Sequence, residues 1–185
     1  MRLYIGLVHY PVYNKNREKI ASAVTNLDLH DLSRLSRTYG VSKYFVITPL
    51  SDQRKLTENL IEHWKTGFGA SYNVDRKEAI EVIRLSSSLD ASIREIKKTE
   101  GEEPVIMATC ALKSGGVISF TEAKELIGTN RPVFLLFGTA WGLHREVLEA
   151  ADYVLAPVEG HSGYNHLSVR AAAAIILDRL IGGYY

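Results

Sequence analysis

Cysteine is almost absent from this sequence: Cys110 stands alone among 185 residues. A disulfide scaffold and a multi-cysteine zinc module are thereby excluded. Net charge is nearly absent as well. The 22 Lys and Arg against 21 Asp and Glu leave a formal +1, which excludes gripping nucleic acid by bulk charge. No apolar run nears the ~20 residues that a membrane span needs, and the first residues lack the basic-then-apolar layout of a signal peptide. The expectation is a cytoplasmic globular chain, one domain over residues 1–185, long enough to bury its own core. Motifs are missing too. There is no GxGxxG loop, no GxxxxGK[ST] phosphate loop, no GxSxG elbow and no HExxH. The six histidines are dispersed, and His161 and His166 lie five apart, a spacing that does not put two ligands on one helical face. No metal is expected.

What is present is an alternation of apolar runs and amphipathic stretches. Strands are expected at 2–9, 43–48, 81–85, 104–109, 131–137 and 152–157. Helices are expected at about 17–39, 51–65, 89–101, 121–127, 143–151 and 166–181. The run at 131–137 is continuous and apolar, as a central parallel strand should be. Alternating strand and helix predicts an α/β fold with a mainly parallel sheet and helices on both faces. Charge is unevenly placed: residues 1–70 hold ten Lys and Arg against six Asp and Glu. Lys15, Arg17 and Lys19 are the densest basic cluster there, a local basic face or an ordinary exposed loop.

Three loops follow late strands: 108–112, 138–143 and 156–169. In an open parallel sheet such ends converge on a ligand crevice. Gly138 and Gly142 permit close backbone approach, and uncharged loop N–H and C=O groups can read an adenine edge. Cys110 in the first loop reads as a small hydrophobe rather than a nucleophile.

Residues 134–143 (FLLFGTAWGL), 151–157 (ADYVLAP) and 165–175 (NHLSVRAAAAI) resemble the later motifs of the SPOUT methyltransferases. A weaker match lies at 28–40 (DLHDLSRLSRTYG), where an arginine stands six residues before a glycine: Arg34. The resemblance implies a C-terminal deep trefoil knot, S-adenosylmethionine as cofactor, methylation of a base or ribose of tRNA or rRNA, and a homodimer. By the same resemblance the cofactor is surrounded by Ala108, Thr109, Cys110, Phe137, Gly138, Thr139, Gly142, Leu155, Ala156, Pro157, Tyr164, Asn165, His166, Leu167 and Ser168. Arg34, His166 and Ser168 are the implied catalytic residues, and Arg34 joins the basic cluster in holding RNA. This chain departs from the ribose-methylating branch in two places. Ala140 or Trp141 stands where that branch has Glu, and His166 where it has Asn. The target atom is therefore left open, and a non-catalytic RNA-binding protein on the same fold is the alternative reading. The apolar tail at 181–185 is a further expected contributor to the dimer.

Overall fold

The computed structural model describes residues 1–111 and 116–183. Leu112 of the first expected loop, and Tyr184 and Tyr185 of the expected dimer tail, lie outside the described residues. In chain order the strands are β1 (Leu3–Val8), β2 (Val12–Tyr13), β3 (Lys19–Ile20), β4 (Lys43–Ile47), β5 (Ile83–Ser86), β6 (Val105–Thr109), β7 (Val133–Gly138) and β8 (Tyr153–Leu155). The helices are α1 (Asn26–Thr38), α2 (Ser51–Lys65), α3 (Phe68–Tyr72), α4 (Val74–Ile80), α5 (Leu89–Glu100), α6 (Phe120–Gly128), α7 (Arg145–Ala150) and α8 (Val169–Ile181).

Six strands form one parallel sheet in the order β5-β4-β1-β7-β6-β8, and β2 pairs with β3 in a small hairpin. The sheet is parallel because each strand is a run of apolar residues that can be covered on both sides. Leu3, Ile5, Leu7, Val46, Met107, Leu135 and Phe137 turn to one face. There they meet Leu29 and Leu32 of α1, Ile80 of α4, Ala123 of α6, and Ala173, Ile176 and Leu177 of α8. Tyr4, Val8, Phe45, Ile106, Phe134 and Leu136 turn to the other, against Ile96 of α5 and Val147 of α7. The alternation within single strands is the period of two that any strand imposes.

The structure revises four expected boundaries. The helix expected from residue 17 begins at Asn26, because Thr25 caps it: its hydroxyl accepts from the Asp28 N–H at 3.2 Å. Residues 17–20 instead turn through Arg17, at φ +63°, into the β2–β3 hairpin. Two short helices, α3 and α4, fill a stretch for which no helix was expected up to residue 80, the second capped by the Asn73 side chain accepting from the Arg76 N–H at 2.9 Å. The last strand shortens to Tyr153–Leu155. The last helix starts at Val169 rather than His166, since the Ser168 hydroxyl accepts from the Ala171 N–H at 3.2 Å. Caps outrank spacing in setting where a helix starts.

Candidate functional site

β7, β6 and β8 are neighbours in the sheet, so the loops that leave their C-terminal ends meet at one edge. They enclose a cavity of about 500 Å³. Two hydrogen bonds brace this edge, one between the ends of β6 and β7 and one between two of the loops. Thr109 Oγ1 donates to the Leu136 carbonyl at 2.9 Å, and Asn165 Nδ2 donates to the Ala111 carbonyl at 3.0 Å. A fourth wall comes from the N-terminal third, through Tyr13, Arg17, Ser22, Ala23, Thr25 and Asp28.

The turn after β7 shapes the site most tightly. Gly138 has no room for a side chain: a Cβ there would lie 2.4 Å from the Leu143 nitrogen and 2.8 Å from the Gly142 carbonyl carbon. The chain then reverses through Ala140 at φ +51° and Gly142 at φ +95°, conformations that side chains other than glycine's rarely adopt. Gly142 N–H donates to the Thr139 carbonyl at 2.9 Å, Trp141 N–H to the Tyr13 carbonyl at 3.0 Å, and Tyr13 N–H to the Gly142 carbonyl at 3.0 Å. The turn is thus stitched to β2 as a short antiparallel ladder, with Val12 opposite Leu143.

Beneath the turn runs a directional chain of hydrogen bonds. Thr139 Oγ1 spends its proton on the Val8 carbonyl at 3.1 Å, so it accepts from Ser22 Oγ, 2.5 Å away. Ser22, with its proton committed, accepts from His9 Nδ1 at 3.0 Å. A hydroxyl has one proton to give, so this order fits a neutral His9 that carries its proton on Nδ1; Nε2 is buried without a hydrogen-bond partner, and the Ala23 backbone is a further polar neighbour of the ring. His9 is 0% exposed, and burial pushes its pKa from 6.5 down to about 4.

The acidic member of the lining, Asp28, is 8% exposed. Its Oδ2 accepts from the Thr25 hydroxyl at 2.6 Å. Arg170 Nε of α8 stands 3.4 Å from its Oδ1, and Arg170 Nη1 stands 3.2 Å from Asp31 Oδ2. One guanidinium therefore ties the first turn of α8 to the first half of α1. Among the described residues, no three His, Cys, Asp or Glu side chains are gathered as metal ligands would be, and no helix is long and apolar enough to cross a membrane.

Of the expected cofactor residues, Thr109, Cys110, Phe137, Gly138, Thr139, Gly142, Ala156, Pro157, Asn165, His166, Leu167 and Ser168 line the cavity. Ala108 and Leu155 are buried in the core behind it, and Tyr164 is 75% exposed with its ring 6.0 Å from that of His166. Of the basic residues, Arg17 lines the cavity, Lys15 is exposed at the hairpin tip, and Lys19 pairs with Glu146 at 2.7 Å. Arg34 is exposed on α1, outside the lining. Sequence reading missed Ser22, Thr25 and Asp28, although Thr25 followed three residues later by Asp28 is itself a helix-start signature. It also gave Trp141 no part in binding, and Trp141 stands on the rim, 53% exposed.

Comparison with known proteins adds a family. A family model described as SAM-dependent RNA methyltransferase matches residues 2–182. A tRNA (guanine-N(1)-)-methyltransferase of Oleidesulfovibrio alaskensis is 45% identical over 97% of this chain and 42% of its own length. One of Nitratidesulfovibrio vulgaris is 46% identical over 99% of this chain and 43% of its own. The chain thus spans about two-fifths of the length of these relatives. Among solved structures, the TrmH/SpoU tRNA modifying enzyme of A. aeolicus shares the fold at TM-score 0.55 and 16% identity, over 97% of this chain and 73% of that one.

Proposed function

This chain belongs to the SAM-dependent RNA methyltransferase family, and from that premise we propose that it is of the SPOUT class, whose fold it shares, and transfers the methyl group of S-adenosylmethionine to RNA, with tRNA the first RNA to test. The observation that carries the proposal is the cavity at the ends of β6, β7 and β8. The guanine-N1 activity in the names of the two relatives is that of proteins more than twice this length. The proposal for this chain is accordingly written for a base or a ribose acceptor. The family match and the well-formed cavity favour the enzyme over a non-catalytic RNA-binding protein.

The residues present fit the cofactor. A cavity of about 500 Å³ walled by loop backbone and apolar side chains suits a nucleoside-sized ligand. Gly138 keeps one wall flat, and the backbones of Thr109, Gly142, Ala156 and Leu167 offer uncharged donors and acceptors to an adenine edge. When bound, S-adenosylmethionine supplies an electrophilic methyl on a cationic sulfonium. The chain's own task is then to hold donor and acceptor in line and to manage one proton. Asp28, held in place by Thr25 and Arg170, presents a fixed negative charge to that cavity. His166 and Ser168, which line the cavity, are the proposed catalytic side chains of this wall, and His30, Asp31 and His166 are the candidate acceptors of the proton.

Isothermal calorimetry tests the reading, together with transfer of labelled methyl groups to tRNA. Micromolar or tighter binding of S-adenosylmethionine is expected. A folded protein that binds none of it overturns the proposal.

Two further features belong to the same proposal. The segment 156–168 leaves β8 beside Ile118, is pinned at Asn165 to Ala111, and re-enters the core as α8 against α1, α6 and β7. We read this path as the deep trefoil knot, which an experimental chain trace checks. The second feature is a cytoplasmic homodimer in which Arg34, exposed on α1 and outside its own cavity, serves the partner's acceptor, with Lys15 and Arg17 holding RNA phosphates. Arg34→Ala is expected to lower methylation about tenfold or more, the loss of a charged hydrogen bond, with cofactor affinity within about twofold. A monomer in sedimentation, or collapse of cofactor binding in that variant, overturns the arrangement.

A further inference from the structure

Trp141 is out of place by ordinary burial rules. A large indole left 53% exposed at the rim of a cavity forfeits hydrophobic stabilisation that folding usually gains. The residue before it, Ala140, is strained at φ +51°, while Gly142 after it takes φ +95° freely, and strain such as that of Ala140 persists only where surrounding structure enforces it. Enforcement is visible: the Trp141 N–H is bonded to the Tyr13 carbonyl at 3.0 Å, and Tyr13 is bonded back to Gly142 at 3.0 Å. The backbone that carries the exposed indole is therefore fixed.

The hairpin bonded to this turn carries aromatic and cationic side chains. The Tyr13 ring lies 4.8 Å from the His144 ring, and the Arg17 guanidinium carbon lies 4.1 Å above the Tyr13 ring. Arg17 itself sits at φ +63°, a second strained residue, and lines the same cavity. An exposed indole and a guanidinium that line the same cavity are the chemistry that receives an unstacked nucleobase and its phosphate. Every base has a π-face to stack, and a guanidinium matches phosphate oxygens in pairs.

We propose that Trp141 is the platform on which the acceptor nucleobase stacks as it reaches the cavity, with Arg17 taking the phosphate of that nucleotide. The inference rests on the methyl-transfer reading above, since it supplies the acceptor side of the same site. Trp141 is a specificity-determining contact: it demands a single-stranded, flippable base, because a base inside a duplex has no free face.

The test separates stacking from phosphate binding. Two short unstructured RNA oligonucleotides are compared, one of mixed sequence and one with the same backbone but abasic. Each is titrated into protein saturated with S-adenosylhomocysteine. The wild-type protein is expected to prefer the base-bearing oligonucleotide by about tenfold or more, the usual worth of one stacked base. Trp141→Ala abolishes that preference, Trp141→Phe restores most of it, and Arg17→Ala weakens both oligonucleotides alike. Tryptophan fluorescence gives a second readout. The chain has two tryptophans, and Trp64 lies outside the cavity lining, between His30, His63 and Arg76. Base-bearing RNA is expected to quench the wild-type protein and to leave Trp141→Phe unchanged.

Retention of the preference in Trp141→Ala overturns the proposal. So does a matching fall in S-adenosylhomocysteine affinity, which would place the indole on the cofactor. A wild-type protein that binds no cofactor at all is a different failure, that of the methyltransferase reading itself.

Discussion

Gly138→Ala is expected to melt about 3–10 °C below the wild-type protein and to lose cofactor affinity by about 30-fold. The added methyl would meet the Leu143 nitrogen at 2.4 Å and the Gly142 carbonyl carbon at 2.8 Å. Both are backbone atoms, so no rotamer change relieves the clash and the turn must move. Overpacking of this kind costs about 1–3 kcal/mol, and about 2–4 °C of melting temperature accompanies each kcal/mol in a chain of this size. The turn cannot shift alone. Thr139 is bonded to Val8 and Ser22, Trp141 to Tyr13, and His144 to Pro11. Displacing it misaligns backbone groups on the wall proposed to hold the cofactor, and two hydrogen bonds lost at about 1 kcal/mol each give the 30-fold. Gly142→Ala is the informative partner. Its φ of +95° makes alanine strained, yet nothing lies within 4 Å of its Cβ position, so a cost of only about 1 kcal/mol is expected. Calorimetry and thermal melts on both variants check the ordering; equal, wild-type-like behaviour of Gly138→Ala refutes the role given to this turn.

The second large effect is on acid stability. Burial holds the folded His9 at about 4, against 6.5 for the free side chain. Below pH 6.5 the unfolded chain takes up a proton that the folded chain refuses, until pH reaches about 4. Stability from this group is complete above 6.5 and falls as pH drops to about 4. The difference is worth about 3 kcal/mol across that window. His30 acts in the same sense, its pKa lowered first by burial and then by the Arg76 charge. His9→Asn isolates the first contribution, because an asparagine amide can replace Nδ1–H as donor to Ser22 but does not titrate. Urea unfolding near pH 7 and near pH 4.5 should show a smaller drop in the variant, by about 2–3 kcal/mol. Identical pH dependence in both proteins would mean that the unfolded-state titration of His9 is not what limits acid stability.

Much of this fold is legible in the sequence because a parallel sheet needs strands that are apolar on both faces, and runs such as 133–138 have little else to be. Helix starts are less legible. Ile20, Val24 and Leu27 fall at helical spacing, yet Ile20 belongs to a hairpin strand, and the cap at Thr25 decides where α1 begins. Spacing reports which residues are apolar, not which backbone N–H groups have lost their partners. The cavity divides in the same way. Its loops after β6, β7 and β8 are visible because glycine and small residues punctuate strand ends. Its N-terminal wall is invisible, since Ser22 meets Thr139 across 117 positions of sequence. Trp141 could be noticed as a departure from the family pattern, but its exposure and its held backbone are properties of the fold alone.

β1 has one further consequence, for the order in which the chain acquires structure. It pairs with β4 on one side and with β7 on the other, Leu3 standing beside Val133. As this stretch leaves a ribosome, β1 thus finds its first neighbour after some 40 residues and its second only after 130. Until residues 133–138 emerge, an edge of the sequence LYIGLV stays unpaired, and an apolar edge is a template for association with other chains. Contacts of such long range also slow folding. The strand at the centre of the finished sheet is therefore the most vulnerable part of the nascent one, and truncation anywhere before β7 leaves that edge permanently open.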